Sequence, residues 1–136
     1  MSMYMNFRTS PGDPGYELCW HKLSQVQQPG PGGAAVFIEE NEKSIQQSAF
    51  GINAPDSLTM FNSSLWTWIS FPATRHGSAG TLSFADGHVE TWRWREANTL
   101  QLALLNDWLV VKPAVSGRDR DLGRFFKVIP EKVPVP

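Results

Sequence analysis

The sequence predicts an α+β domain, an antiparallel sheet with minor helical segments, and three observations carry that expectation. Short apolar runs are bounded by Gly/Pro clusters, an Asp86-Gly87 dipeptide interrupts an alternating segment, and helical periodicity is confined to a stretch near the C-terminal third. At 136 residues, with 41% apolar and 18% charged residues, the chain fits one folded domain rather than a disordered segment. Six Trp and eight Phe imply a core of large flat side chains or an aromatic binding surface.

Residues 1–34 read as loop-rich. Pro11-Gly12-Asp13-Pro14-Gly15 and Pro29-Gly30-Pro31-Gly32-Gly33 are turn clusters, and Trp20 to Val26 between them suits a short helix or an extended packing segment. Ala35-Val36-Phe37-Ile38-Glu39 is a short apolar strand after a glycine break. Asn41 to Gln47 is a polar connection with room for one helical turn, and Ala49 to Asn53 is a weaker strand. Leu65 to Phe71 alternates, with Trp66, Trp68 and Ser70 on one side, and Pro72 ends it.

The strongest local signal runs from Gly80 to Trp94. Asp86-Gly87 between alternating segments predicts a hairpin closed by a two-residue type I′ turn, which needs positive φ at both central residues. Counting outward pairs Phe84 with Val89 and Leu82 with Thr91. That register places Leu82, Phe84 and Val89 on the core face, and Thr81, Ser83, His88, Glu90 and Trp92 on the other. Beyond it, Leu100, Ala103, Leu104 and Trp108 suit one face of a helix over 97–109, and Arg118 to Lys127 suits a second short helix or turn. The Pro-rich end, 128–136, reads as a frayed tail.

Composition excludes several functions. A net charge of −1 provides no field for nucleic acid, although an acidic stretch (Glu39, Glu40, Glu42, Asp56) is set against a basic tail (Arg118, Arg120, Arg124, Lys127, Lys132). No apolar run reaches the roughly 18–20 residues a membrane span needs, so the chain as given is expected to make no membrane contact. A lone Cys19 rules out an intramolecular disulfide and a thiolate zinc cluster.

No catalytic constellation is expected. Cys19 and His21 flank Trp20, but on a helix side chains two positions apart diverge, and neither a Gly-x-Ser-x-Gly elbow nor a phosphate loop is present. His76, Asp86 and His88 with Glu40 could be imagined as metal ligands. An intervening strand of about six residues, however, sets His76 about 20 Å from the turn, so structural roles are favoured and no metal or other cofactor is expected. The same geometry predicts that His76 does not touch Asp86 and lies towards the Trp92–Trp94 end. Trp66, Trp68, Trp92 and Trp94 alternate on two strands, as either core or an exposed binding surface for a sugar or a protein.

The segment from His76 to Val89 resembles the H-x9-D-G motif of bacterial prepilin-type proteins, with His76, Asp86 and Gly87 on the motif's named positions. Phe71-Pro72-Ala73, the Lys22-Leu23-Ser24-Gln25-Val26 segment, and Val36-Phe37-Ile38-Glu39-Glu40 followed by Ser44-Ile45 are similar to further stretches of that group. Ser2, Met5 and Asn6 match it more loosely. The resemblance implies a pilin-head-like fold and a non-enzymatic subunit of a type II secretion or type IV pilus-like assembly. Its partners would be other pilin-like subunits or secretion machinery proteins, and its place the periplasmic side of the cell envelope or outside the cell. Such subunits carry an N-terminal leader and a long apolar helix, of which the sequence given shows neither, and no Asp-rich calcium loop of the related major pseudopilins is seen. The alternative expectation is a carbohydrate- or ligand-binding β-module using the tryptophan face.

Overall fold

The computed structural model describes residues 2–3, 22–45, 50–53, 67–105 and 119–129. In chain order the elements are β1 (Ser2–Met3), β2 (Ala35–Ile38), β3 (Ile52–Asn53), β4 (Thr67–Trp68), β5 (Ala79–Phe84), β6 (Val89–Arg93), α1 (Ala97–Leu102) and α2 (Arg120–Phe126), with 3₁₀ turns at Leu23–Gln25 and Pro31–Gly33. The main sheet is antiparallel in the order β1-β2-β5-β6. Its three principal strands are β2, β5 and β6, with the two-residue β1 at the edge, while β3 and β4 form a separate ribbon. The arrangement is α+β.

The β5–β6 hairpin forms where alternation and Asp86-Gly87 place it, but its register differs by one residue from the expected one. The pairs are Ser83 with Val89, Leu82 with Glu90, Thr81 with Thr91, Gly80 with Trp92 and Ala79 with Arg93. The turn is the cause. Gly87 N–H donates to Phe84 O at 3.0 Å, Phe84 N–H donates to His88 O at 3.0 Å, and in this turn only Gly87 has positive φ, 94°. A three-residue loop with a left-handed glycine is a type I turn closed by a bulge, not a type I′ turn. The extra loop residue moves every side chain of β6 to the opposite face. Val89, expected in the core, is 60% exposed, while Trp92, expected outside, is buried with Trp94.

Gly87→Val is expected to cost about 1–3 kcal/mol, because a β-branched residue is strained at positive φ. Among the described residues beyond its chain neighbours, no atom lies within 4 Å of the position a β-carbon would take there, so the loss is conformational rather than steric. A urea midpoint equal to that of the parent chain would refute it. Gly80 is constrained differently, since a β-carbon there would meet Ala73 O at 2.8 Å, in a corner where Trp94 Nε1 donates to the same oxygen at 2.7 Å.

One core joins all the layers. The inner sheet face provides Ile38, Leu82, Phe84, Trp92 and Trp94. The second ribbon adds Phe50, Ile52 and Trp68, α1 adds Leu102, and α2 and its exit add Leu122, Phe125 and Ile129. The rings meet at steep angles, with centroids 6.0 Å apart for Trp68–Trp94, 6.2 Å for Trp92–Trp94 and 6.1 Å for Phe50–Trp68, a geometry aromatic quadrupoles favour. This corrects the binding-surface expectation: Trp68, Trp92 and Trp94 are 2–3% exposed, because burying such large rings removes much apolar area from water. Trp66 lies outside the described residues, as do Trp20 and Trp108.

Two boundary expectations also change. Over the described residues the helix near 97–109 comprises Ala97–Leu102, and it buries Thr99 and Leu102, whereas Leu104 is 76% exposed. The chain turns there through Leu104 N–H to Gln101 O at 2.9 Å, which rotates Leu104 off the helix face. The tail is not loose from residue 128. Val128 O accepts from Ala35 N–H at 2.8 Å and Ile129 is buried, so the chain is held against the start of β2 before the prolines begin. No helix among the described residues is long and apolar enough to cross a membrane.

Candidate functional site

The motif residues stand at opposite ends of the hairpin, each in its own polar cluster. At the open end, the turn entering β5 carries positive φ at Gly77 (63°) and Ser78 (65°). It is held by Ser78 N–H to Thr74 O at 3.2 Å and Trp94 N–H to Ser78 O at 2.8 Å. This turn delivers His76 and Arg75 to the acidic end of β2. His76 Nε2 lies 3.1 Å from Glu39 Oε2. Arg75 Nε donates to Glu39 Oε1 at 3.1 Å, its Nη1 to Glu42 Oε2 at 2.6 Å and its Nη2 to Glu40 O at 3.0 Å. Burial pushes the Glu39 carboxyl up. The hydrogen bond and charge of Arg75, with smaller contributions from His76 and the Thr81 N–H, outweigh it and hold Glu39 below the ordinary glutamate range.

The Phe71-Pro72-Ala73 segment runs beside this cluster. Asn41 N–H donates to Phe71 O at 2.8 Å and Ala73 N–H to Glu39 O at 2.8 Å, with Glu40 bridged to Pro72. Glu40 is buried, and its Oε1 accepts from Ser44 Oγ at 2.8 Å, while Ser44 Oγ accepts the Phe71 N–H at 2.9 Å. These contacts fasten the entry of the hairpin to the end of β2 across 27–36 positions of sequence.

At the closed end Asp86 shapes the turn. Its Oδ1 accepts the His88 N–H at 3.1 Å and lies 2.6 Å from His88 Nδ1, and its Oδ2 faces Gly32, where a β-carbon would come within 3.2 Å. Ala85 N–H donates to Ala34 O at 2.9 Å, so the turn packs on the Pro29–Gly33 loop. His88 stacks on Phe84 with centroids 4.3 Å apart and planes 2° apart, and its Nε2 is 3.4 Å from Glu90 Oε1. Glu90 Oε2 also accepts from Trp92 Nε1, and the Arg124 guanidinium lies 3.7 Å over the Trp92 ring. Both imidazole nitrogens therefore face carboxylates. The arrangement suits a fastener that holds a cation rather than a base with a free lone pair.

The Asp86 hydrogen bond, opposed by partial desolvation and reinforced by Glu90, raises the His88 pKa above its ordinary value. The His88 N–H and ring lower that of Asp86. A raised histidine pKa contributes stability that is fully present below the unfolded value and lost as pH climbs through the folded one. For Asp86 the contribution is present above its unfolded value and lost as pH falls through the folded one. The pair therefore contributes most between those limits. Proton NMR is expected to place the His88 midpoint above about 6.5, and Asp86→Asn to lower it. An unmoved midpoint in that variant would remove Asp86 as the cause.

A third junction joins α2 to the exit of β6. Asp119 caps α2, its Oδ1 accepting the Leu122 N–H at 2.8 Å. Asp121 Oδ2 accepts both the Arg95 and Glu96 N–H groups at 2.8 Å, and Glu96 Oε1 accepts from Arg120 Nε at 2.6 Å.

His76 and Asp86 are each engaged elsewhere, His76 at the Trp94 end of the hairpin, in the positions the straight-strand argument assigns them. Asp86 and His88 meet at the turn, but His76 and Glu40 stand at the other end of the hairpin, and no group of three His, Cys, Asp or Glu side chains among the described residues could hold a metal ion. Arg75, Glu39, Glu90, Arg124 and Asp121 were missed as partners in sequence. Arg75 beside the motif histidine and Glu39 in the similar strand were the available hints. Comparison with protein-family models, with curated proteins and with solved structures finds no match.

Proposed function

We propose that this chain is the globular head of a non-enzymatic, pilin- or pseudopilin-like subunit of a cell-envelope assembly, with other pilin-like subunits or secretion machinery proteins as its partners. One observation carries the reading: residues of the resemblance meet one another as scaffolding. His76 reaches Glu39 of the Val36-Phe37-Ile38-Glu39-Glu40 strand, and Asp86-Gly87 forms the turn that packs on the loop after Lys22–Val26. A motif spent on fastening a hairpin at both ends serves a rigid head, not a reaction. The tryptophan platform of the competing ligand-binding reading has three of its four rings in the core.

Assembly in such systems runs through an apolar N-terminal helix, and the head adds weak contacts. By itself the chain is expected to sediment as a monomer or weak dimer at micromolar concentration. Joined behind a leader and a pilin-type helix, in bacteria with a secretion pilus, it is expected to enter sheared filaments. Failure to incorporate would overturn the reading. So would hydrolase activity of the isolated chain that disappears on changing His76 or His88.

A further inference from the structure

Independently of that reading, we infer that the free edge of β6 is a docking site for an extended acidic segment of a partner protein, which would add to the sheet as another strand. In the observed register His88, Glu90, Trp92 and Trp94 turn their backbone groups towards β5, so Val89, Thr91 and Arg93 turn theirs outward. Those three N–H and three C=O groups have no partner among the described residues, and all three residues are exposed, Val89 by 60%. An exposed row of unpaired groups is a template for strand addition, and proteins that must avoid it shield such an edge.

Charge selects the occupant. Arg93 and Arg95 are exposed and in no ion pair among the described residues, and alternation puts both on the outer face. On the inner face Arg124, half exposed, covers Trp92 and reaches Glu90 only at 3.8 Å. A strand laid along β6 would thus meet Arg93 and Arg95 on the outer face, with Val89 there as an apolar foothold, and the Arg124–Glu90 pair on the inner one. A second copy of this chain is the disfavoured occupant. Pairing two β6 strands antiparallel about Thr91 would set each Arg93 across from the other copy's Val89, so the outer face of the seam would hold Arg93 and Arg95 of both copies with no carboxylate from either β6 strand to meet them. An acidic segment turns the same charges into attraction.

The probe is acetyl-Glu-Val-Glu-Val-Glu-Val-amide, with its Lys-Val counterpart as control, titrated into the ¹⁵N-labelled chain. Amide exchange at Val89, Thr91 and Arg93 is expected to slow about tenfold or more with the acidic peptide and not with the basic one. Thr91→Pro deletes an outward donor that β5 does not use, so the fold should persist and protection should be lost. The double variant Arg93→Glu, Arg95→Glu, which alters only exposed side chains, is expected to prefer the basic peptide. Equal effects of both peptides, protection that bypasses these three amides, or unchanged preference in the charge-reversed variant would overturn the proposal. Protection that grows with protein concentration in the absence of peptide would overturn it too, by making a second copy the occupant.

Discussion

Trp68→Ala is expected to be among the most damaging single substitutions, lowering stability by about 3–5 kcal/mol. The side chain is 2% exposed and joins three parts of the fold. Its ring centroid lies 6.1 Å from that of Phe50, 5.5 Å from Phe125 of α2 and 6.0 Å from Trp94 beyond β6. Removing it takes packing partners from the ribbon, the helix and the sheet at once, and a space bounded by aromatic rings collapses poorly. Trp68→Phe should behave differently. The indole Nε1 of Trp68 is buried with no hydrogen-bond partner among the described residues, so phenylalanine removes a desolvated donor along with some volume. Its cost should be less than half that of alanine. Urea unfolding with the slope held constant measures both, and equal losses would contradict this account of the site.

Asp121→Ala is expected to cost about 2–4 kcal/mol. One buried carboxylate oxygen satisfies two consecutive backbone donors, Arg95 N–H and Glu96 N–H, each at 2.8 Å. Without it both lack their acceptor, at roughly 1–3 kcal/mol for each, part of which water recovers at a half-buried junction. Asp121→Asn retains an acceptor oxygen and should lose about 1 kcal/mol, the difference between a charged and a neutral acceptor. The damage should be local as well. Amides from Arg95 to Leu102 should exchange faster, whereas those at the Asp86 turn should not. Uniform loss of protection would show that the junction is not a separable fastening.

How much of this was legible follows from the range of the interactions. The hairpin was readable because alternation and Asp86-Gly87 are local signals. Its register was not, since Asp-Gly suits both a two-residue turn and a three-residue turn with a left-handed glycine, and the two differ by one position. The deciding fact was energetic. One register buries Trp92 with Trp94 at the expense of Val89, and two indoles outweigh one isopropyl group. The helix near 120 falls within the Arg118–Lys127 stretch read as a short helix or turn, and its cap is local as well, Asp119 accepting the Leu122 N–H. The pairing of Arg75 with Glu39, and of Asp121 with Arg95 and Glu96, spans 25–36 positions, and nothing local announces it. The hold on Ile129 was hidden by the prolines that follow it.

The packing of Trp68, Trp94 and Trp92 has an optical consequence. Adjacent indoles lie 6.0 Å and 6.2 Å apart in fixed, steeply inclined orientations. Transition dipoles that close and that skewed couple, so the native protein should show an exciton couplet in its circular dichroism that a molten or unfolded chain lacks. The same rings sit out of reach of acrylamide, so their emission should resist quenching until the core opens. The protein thus carries an unlabelled spectroscopic gauge of the β6 register itself: a strand displaced by one residue would carry Trp92 and Trp94 together to the other face, away from Trp68, and change the couplet while leaving the sheet content unchanged.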